Sequence, residues 1–337
     1  MKNATLRQLK VFEAAARHLS FSRAAQELHL TQPAVSTQIK LLQQHAGLKL
    51  FEQLGKKVYL TPAGDELLRY GRAIIELFRQ AGEAMASRQG VTGGTLNVAV
   101  ISAGDYFFPQ LLAEFARSAP GVKLNLGVFN RQQLLQQLAD NLTDLAVMVR
   151  PPRELDTVNE AFAPHPYVIV ARPDHPLAGK RRLPVGALLD ERWLARERGS
   201  DTWNSMEDAF GAQLPRLAIA MEIRSTETIK QAVIAGMGIA FLSAHTIGRE
   251  LRTKQLAVLD VVGFPLQRQW YVVHLRQKVL APVAAAFKAF LLERGGALIG
   301  EVTGASGRPH RGGASGHNRS RGGARAPTRP SRHERRP

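Results

Sequence analysis

The chain has 337 residues, and with 45% apolar and 22% charged residues it is long and apolar enough to form two or three globular domains. It contains no cysteine, which excludes disulfide frameworks, zinc sites built on cysteine and thiol catalysis. The formal net charge is +17, with nine Lys and Arg against four Asp and Glu in residues 1–65 and nine against two in residues 301–337. Basic ends of this kind indicate a nucleic-acid partner rather than a uniformly basic enzyme.

A stretch that begins at Ser20 predicts two short helices separated by a break at His29. Ser20 is placed to cap the first helix and Thr31 the second. Pro33 fits the first turn of the second helix because no intrahelical N–H bond is needed there. An apolar helix that begins near Leu6 is expected to pack beneath the pair. The pattern is typical of a helix-turn-helix.

The second helix of this pair is expected to expose a polar face. Val35, Ile39 and Leu42 recur at helical spacing and should face the core. The residues predicted to contact DNA lie on the remaining face: Gln32, Pro33, Ser36, Thr37 and Lys40. Amides and hydroxyls read base edges in the major groove and lysine meets phosphate, so we interpret this helix as the recognition helix. An ordinary helical hairpin with a solvated face is the alternative.

A short hairpin with Gly55 at its turn is predicted to follow the second helix. Lys56 and Lys57 at this turn are placed to reach the phosphate backbone, as the wings of winged helices do. Two lysines on a turn are, however, more often only solvated. The predicted DNA-binding domain is thus an all-α winged helix-turn-helix that spans residues 1–64.

One long helix is predicted to begin at Thr61-Pro62 and to end near Gln89. Its apolar residues alternate spacings of three and four, which is the seam of a short coiled coil: Leu67, Tyr70, Ile74, Leu77, Ala81 and Ala84. Such a stripe is buried either within one subunit or against a second copy. Because no other part of its own domain surrounds this helix, a dimer is predicted.

Beyond a glycine-rich linker at residues 89–94, strands and helices alternate, which predicts an open, largely parallel α/β sheet. Ligands of such sheets lie beyond the carboxyl ends of strands, where helix N-termini attract anions. Five residues at such positions are the predicted effector-binding residues: Ser102, Arg150, Ser200, Thr202 and Thr226. Ser200 and Thr202 are expected just before a helix over Asn204–Phe210. Each residue alone is more often a cap or a surface charge, so the prediction requires that they converge on one cleft.

Several segments of the chain carry a family resemblance. Between Leu6 and Gly64, the segments LRQLKVFEAAARHLSFSRAAQELHLTQPAVSTQIKLL, GLKLFE and LTPAG resemble the amino-terminal domain of LysR-type transcriptional regulators. The segments LGKKVYL, STETIKQAVIAGMGIAFLS and RQWYVVH further resemble the branch that controls RuBisCO and Calvin-cycle carbon-fixation operons of bacteria. The resemblance extends over roughly residues 4–295.

This resemblance implies an architecture and a set of partners. Residues 65–90 would form a dimerisation helix, and residues 91–296 a two-lobed α/β effector domain like those of periplasmic binding proteins. The chain would leave the first lobe near Pro164 and return near Pro265. The implied partners are a double-stranded DNA operator, further copies of the chain in a homodimer or homotetramer, and a small anionic metabolite. A sugar phosphate, phosphoenolpyruvate or NADPH is expected as this effector, and no cofactor is expected.

Two positions depart from the family pattern. The family often has Arg at the position of Gln53, which removes one expected phosphate contact. The carbon-fixation branch commonly has Gly-Ser-Gly-Thr-Arg in one cleft loop, whereas this chain has Gly199-Ser200-Asp201-Thr202-Trp203. An added Asp and a lost Arg make tight binding of the same phosphorylated metabolite uncertain.

An enzyme or a two-lobed small-molecule binding protein is the alternative from a different class. The sequence has no Walker A, Gly-x-Ser-x-Gly or His-Glu-x-x-His motif, and its ten histidines are scattered. A periplasmic solute receptor is opposed by the absence of a signal peptide. The longest apolar run, Ala232–Leu242, is too short to cross a membrane, so a cytoplasmic protein is expected. Within the family, a regulator of another metabolic operon is the alternative.

Residues 297–337 are predicted to form a disordered basic tail because they are rich in Arg, Gly, Pro and Ser and poor in apolar residues. Two Arg-Gly-Gly triplets are typical of nucleic-acid segments, but without aromatic residues a solvated extension is the favoured reading.

Overall fold

The computed structural model describes residues 1–55, 57–88 and 93–303, with the side chains at 83, 84 and 86–88 excepted. The predicted phosphate contact Lys56, the linker residues 89–92 and the predicted tail from residue 304 on lie outside the described residues. Among the described residues, no helix has both the length and the apolar character needed to cross a membrane.

The amino-terminal domain consists of three helices and a hairpin: α1 Leu6–His18, α2 Phe21–Glu27, α3 Gln32–Ala46, β1 Phe51–Leu54 and β2 Lys57–Leu60. Side-chain caps start α2 and α3 where they were predicted. Ser20 Oγ accepts from the Arg23 N–H at 3.3 Å, and Thr31 Oγ1 accepts from the Ala34 N–H at 3.3 Å. Gly47 ends α3 in the left-handed region, with φ 72°.

The inward face of α3 lies at the centre of this domain's core. Val35 and Leu42 are fully buried, as predicted. Phe51 of the hairpin meets two helix rings edge-on, Phe12 at 5.4 Å and Phe21 at 5.2 Å between centroids. These contacts fix the rotation of α3 and leave its polar face toward solvent.

A single long helix, α4 (Pro62–Arg88), leads out of the domain, and its 27 residues span about 40 Å. Thr61 begins the helix as predicted, because its Oγ1 accepts from the Gly64 N–H at 3.0 Å. The same hydroxyl donates to the Lys49 carbonyl oxygen at 2.6 Å. The start of α4 is therefore hydrogen-bonded to the chain just before the hairpin.

The rest of the described chain forms two α/β lobes. The strands are β3 Gly94–Ile101, β4 Val122–Phe129, β5 Leu145–Met148, β6 Thr157–Ala171, β7 Arg192–Arg196, β8 Ala218–Ile223, β9 Ile239–Ser243, β10 Ala257–Val258 and β11 Leu266–Leu275. The helices are α5 Phe108–Ser118, α6 Arg131–Ala139, α7 Asp201–Phe210, α8 Thr226–Ile234, α9 Gly248–Arg252, α10 Pro282–Phe290 and α11 Gly296–Thr303.

Two long strands, β6 and β11, pair antiparallel, and β6 continues from the first lobe into the second. In the first lobe the strand order is β4-β3-β5-β11-β6, and β3 runs parallel to both of its neighbours. In the second lobe β6 continues beside β9, which is followed by parallel β7 and β8. The two-lobed α/β fold is confirmed, and the chain crosses between the lobes near Pro164 and Pro265, as the resemblance implied.

The crossing between the lobes is filled with aromatic rings. His165 is fully buried, and the centroid of its ring lies 4.4 Å from those of both Tyr167 and Trp270. Neither ring nitrogen of His165 forms a hydrogen bond with any residue that the structure describes. Burial lowers the pKa of His165 well below 6.5, so the ring is neutral.

The carboxyl-terminal end of the second domain differs from the predicted boundary at residue 297. Helix α11 continues the fold to Thr303, and Ile299 is buried. The glycines at 295 and 296 lie within a continuous helical segment. A Cβ at Gly295 would lie 2.7 Å from Phe162 Cδ2. Glycine is needed there for a close approach to β6.

Gly64→Ala is expected to destabilise the amino-terminal domain. A Cβ at this position would lie 2.1 Å from the Leu50 carbonyl oxygen and 2.9 Å from Leu60 Cδ2. The backbone must shift to relieve this contact, at a cost of about 1–3 kcal/mol in the free energy of unfolding. Gly71→Ala on the same helix is the control, since its Cβ would meet only Leu9 Cδ2 at 3.7 Å and would improve helix propensity by about 1 kcal/mol. Urea unfolding compares the two variants, and equal stabilities would contradict this account.

Candidate DNA interface and effector cleft

The predicted DNA contacts of α3 lie together on its solvent face. Gln32, Pro33, Thr37 and Lys40 are exposed, and Ser36 is half-buried. The Gln32 Nε2 donates to Ser36 Oγ at 3.0 Å, and the Thr37 hydroxyl donates to the Pro33 carbonyl oxygen at 2.9 Å. These bonds hold the amide and hydroxyl groups in two adjacent rows along the helix, an arrangement that suits insertion into the major groove.

The predicted hairpin is present, with Leu54 opposite Lys57 and Gly55 at the turn in the left-handed region. Lys57 is exposed, in keeping with a phosphate contact or with simple solvation. Gln53, which stands where the family often has Arg, donates from Nε2 to the Gly55 carbonyl oxygen at 3.0 Å. Its side chain thus stabilises the turn of the wing.

Helix α4 carries a row of large apolar residues that the described chain leaves uncovered. Tyr70, Ile74 and Leu77 of the predicted stripe are 54%, 47% and 57% exposed, and Phe78 beside them is 64% exposed. Leu67 of the stripe is half-buried and packs on the core of the DNA-binding domain. The other predicted members are Ala81, which is exposed, and Ala84, whose side chain is not described.

The two lobes meet at a nearly closed polar contact that we call the interlobe junction. It brings together three of the five predicted effector residues and three charged residues that were not predicted as effector residues: Ser102, Ser200 and Thr202, with Arg131, Arg196 and Asp201. The free volume among them is about 10 Å³, about the space of one water molecule. The junction therefore has no room for a metabolite until these groups move apart.

Arg196 connects two of the predicted hydroxyl groups. Its guanidinium donates to Thr226 Oγ1 at 2.8 Å and to Ser102 Oγ at 3.4 Å, and it pairs with Glu197 at 2.8 Å. Thr226 does not line the junction itself but is held behind it by this arginine. Because Arg196 belongs to the second lobe and Ser102 to the first, the contact bridges the lobes.

The loop before α7 differs from its predicted form. The helix begins at Asp201, three residues earlier than expected, because Ser200 Oγ accepts from the Trp203 N–H at 3.1 Å and caps it. Thr202 consequently lies in the first helical turn. The Arg198 guanidinium lies 5.0 Å from the centroid of the Trp203 ring, so an arginine remains close to the place where the branch has one.

Arg150 does not line the interlobe junction, although it follows β5 as predicted. Its guanidinium pairs with Asp208 on α7, which also binds Arg268 at 2.9 Å. This ion pair forms a separate bridge between the lobes. The strand-end rule thus located the loop correctly but did not identify the two arginines that line the junction, Arg131 at the start of α6 and Arg196 at the end of β7.

Asp201 is a buried carboxylate within the interlobe junction, with 6% of its surface exposed. Its Oδ1 accepts from Arg131 Nη1 at 3.0 Å, whereas its Oδ2 accepts no hydrogen bond from any described residue. Burial raises the pKa of Asp201, and the positive charges of Arg131 and Arg150 act in the opposite direction.

A third bridge between the lobes surrounds Tyr106. Its hydroxyl donates to Glu227 at 3.3 Å, and Lys230 Nζ lies 4.6 Å from the centroid of its ring. Lys230 is itself buried and pairs with Glu250 at 2.8 Å. Burial and the charge of Glu227 raise the pKa of Tyr106, so the phenol stays protonated and available as a donor.

A polar cavity of about 340 Å³ adjoins the interlobe junction and shares Arg131 and Ser200 with it. Arg198 and Arg224 also line this cavity, together with Glu222. Its volume lies at the small end of the range for ligand pockets, about 300–1,000 Å³. The guanidinium groups of Arg131, Arg198 and Arg224 and the carboxylates of Glu197 and Glu222 thus share this cavity.

A larger cavity of about 620 Å³ lies between α4 and the first lobe but contains none of the predicted effector residues. An ion network closes its inner side, where Lys278 Nζ lies 3.2 Å from Asp144 and 3.8 Å from Glu76. Burial raises the pKa of Glu76, but Arg79 and Lys278 outweigh burial and lower it to about 2. This cavity belongs to the joint between α4 and the lobe.

Among the described residues, no group of three or more His, Asp or Glu side chains is arranged to hold a metal ion. The interlobe junction instead contains guanidinium, hydroxyl and helix N-terminal donors from both lobes, together with the carboxylate of Asp201.

Two family profiles match the chain. Residues 6–65 match the bacterial regulatory helix-turn-helix protein of the lysR family, and residues 89–296 match the LysR substrate binding domain. A RuBisCO operon transcriptional regulator from Allochromatium vinosum is 47% identical over 290 residues, which cover 86% of this chain and 96% of the relative.

Two solved structures are also similar. The regulatory domain of Synechocystis PCC6803 CcmR in complex with 2-PG is 39% identical with a TM-score of 0.57, and the match covers 59% of this chain and 96% of that one. Full-length CbnR complexed with its target DNA shares the fold at 21% identity with a TM-score of 0.60, covering 85% and 98% of the two chains. From the two domain matches and the relative matched over nearly its full length, the chain belongs to the LysR family of bacterial transcriptional regulators.

Proposed function

We propose that this protein controls carbon-fixation genes, RuBisCO genes among them, and changes its DNA contacts when a small anionic metabolite binds between its lobes. The observation that carries the proposal is the interlobe junction, where guanidinium and hydroxyl donors from both lobes converge behind a polar cavity. The similarity to a RuBisCO operon regulator supports the choice of target genes. A LysR-type regulator of another metabolic operon is the alternative.

The expected effector is a sugar phosphate, phosphoenolpyruvate or NADPH. Each carries phosphate or carboxylate oxygens, which can accept hydrogen bonds from Arg131, Ser102 and Thr202. A relative of 39% identity was solved in complex with 2-PG, which supports a small ligand in this domain. The adjoining cavity suits phosphoenolpyruvate or a sugar phosphate in size, and it would have to widen for NADPH.

Helix α6 is the proposed route by which the junction acts on the DNA-binding domain. Its first residue, Arg131, binds Asp201 in the junction, and the residue that ends it, Asp140, binds Arg72 of α4 at 2.9 Å. Arg72 also lies 3.6 Å from Glu13 of α1. A shift of α6 on effector binding would therefore change contacts of both α4 and α1, with a coupling of about 1–3 kcal/mol typical of allosteric proteins.

We further propose that the protein is a homodimer or homotetramer and has no enzymatic role. The uncovered apolar row on α4 provides the surface for a second copy. His165 and His245, two histidines near the junction, are buried among aromatic rings and kept neutral, an environment that favours packing over proton transfer. A role of either histidine in proton transfer is thus disfavoured.

The recognition role of α3 is tested by Gln32→Ala. Loss of base readout is expected to cost about 1–3 kcal/mol on the operator and little on scrambled DNA. Lys57→Ala is the contrasting variant, because loss of a phosphate contact should weaken both duplexes alike and reduce the salt dependence of binding. Both are measured by titration over a series of salt concentrations. If Gln32→Ala weakens the two duplexes equally, Gln32 does not read bases.

The dimer is tested by Ile74→Asp combined with Leu77→Asp. Two carboxylates in an apolar seam have no partner, so the dimer is expected to dissociate and operator affinity to fall, since two half-sites must be bound together. Glu66→Lys is the control, a change of an exposed charge on the same helix outside the stripe. Sedimentation velocity measures the oligomer, and a double variant that remains dimeric would show that this row is not the interface.

The effector site is tested by Thr202→Val, which removes one hydroxyl of the interlobe junction at nearly constant volume. Because hydrogen bonds to charged groups contribute about 1.5–3 kcal/mol, anion affinity should fall by about tenfold or more. Thr228→Val, an exposed threonine outside the junction, should leave affinity unchanged. Calorimetry with 2-PG, phosphoenolpyruvate and NADPH measures the effect. Equal losses in the two variants would move the site elsewhere, and Arg150→Ala would then test the Asp208 bridge.

A further inference from the structure

Asp201 is an unusual residue for an anion site. It contributes a carboxylate at the centre of the interlobe junction, where the hydroxyls and guanidinium groups of both lobes converge. A carboxylate there repels an incoming phosphate and occupies a guanidinium that the phosphate would use. The carbon-fixation branch commonly has Gly at this position, so the carboxylate is a feature of this chain.

The contacts of Asp201 resemble those of a bound anion. Its Oδ1 receives a charge-assisted hydrogen bond from Arg131 across the lobes, as an effector carboxylate or phosphate would. The nearby Arg196 has its own acidic partner, Glu197, so Asp201 is the carboxylate that faces Arg131. The side chain also fills the space, since only about 10 Å³ remains free around it.

The second oxygen indicates that this arrangement is not optimal for folding. Asp201 Oδ2 is buried without a hydrogen bond from any described residue, and an unsatisfied buried oxygen of this kind is costly. An acidic residue in the first turn of α7 does favour the positive end of the helix. That charge interaction requires neither burial nor contact with the opposite lobe. It therefore does not account for the position of this side chain.

We propose that Asp201 is an internal competitor of the effector anion, which holds Arg131 across the closed cleft until an effector displaces it. This inference rests on the proposed function of the cleft. It assigns Asp201 the role of setting effector affinity, because every anion must first break the pair between Asp201 and Arg131. The protein consequently responds only to higher effector concentrations than the remaining donors would require.

The test compares anion affinity in the full-length wild-type protein, Asp201→Asn and Asp201→Gly. Asp201→Asn keeps the volume and removes the charge, and Asp201→Gly removes both. Each is expected to bind phosphoenolpyruvate and 2-PG at least tenfold more tightly than wild type in calorimetric titrations, and inorganic phosphate more tightly as well. Asp174→Asn is the matched control, because it neutralises the aspartate of an exposed Asp–Arg pair, with Arg172, outside the cleft. Its anion affinity should equal that of wild type.

Three outcomes would overturn the proposal. Weaker binding by both variants would make Asp201 a ligand of the effector, and unchanged binding would show that its charge is not sensed. Absence of anion binding in every variant would also count against it, since removal of the competitor should reveal the site. Operator titrations of the same proteins test the proposed function separately. A protein that binds its operator specifically retains that function even if Asp201 has no part in effector binding.

Discussion

The paired strands β6 and β11 are the constraint on which the two-lobed structure depends. Strand β6 contributes to the sheets of both lobes and β11 pairs with it at the crossing, so the lobes cannot separate without breaking this ladder. Motion is thus limited to bending and twisting near Pro164 and Pro265. Three polar side-chain bridges, at Arg131, Arg150 and Tyr106, also join the lobes. A hinge with polar bridges is the general arrangement by which a ligand closes or opens a cleft.

The two ion pairs that bridge the lobes differ in the free energy needed to separate them. Arg150 and Asp208 are both partly exposed, and a pair of this kind contributes little to stability because water replaces it readily. Arg131 and Asp201 are mostly buried, and separation of a buried pair is costly unless another charge takes the partner's place. Under the proposed role of Asp201, an anion would provide that charge. The buried bridge would then be selective for the kind of ligand that breaks it, whereas the exposed bridge would not.

Much of the amino-terminal domain was predictable because its signals are local. Ser20, Thr31, Pro33 and Gly47 act within one helical turn of their own position, and the apolar face of α3 follows from spacing alone. The strands and loops of the lobes were likewise predictable, and Ser102, Ser200 and Thr202 do meet. Arg131, Arg196 and Asp201 were not predicted as effector residues, because side-chain direction across two lobes depends on contacts distant in sequence. The boundary at residue 297 was placed too early for a similar reason, since composition does not show that Ile299 is buried against the fold.

The neutral histidine at the crossing has a consequence for what the hinge can sense. The pKa of His165 lies well below 6.5 because its ring is buried between Tyr167 and Trp270. Histidine is otherwise the side chain that most readily converts intracellular acidity into structural change. At this position its ring stays neutral. Its neighbour His245 is neutral as well, because burial lowers its pKa to about 4. Protonation of these two histidines therefore does not contribute to movement at the crossing near neutral pH.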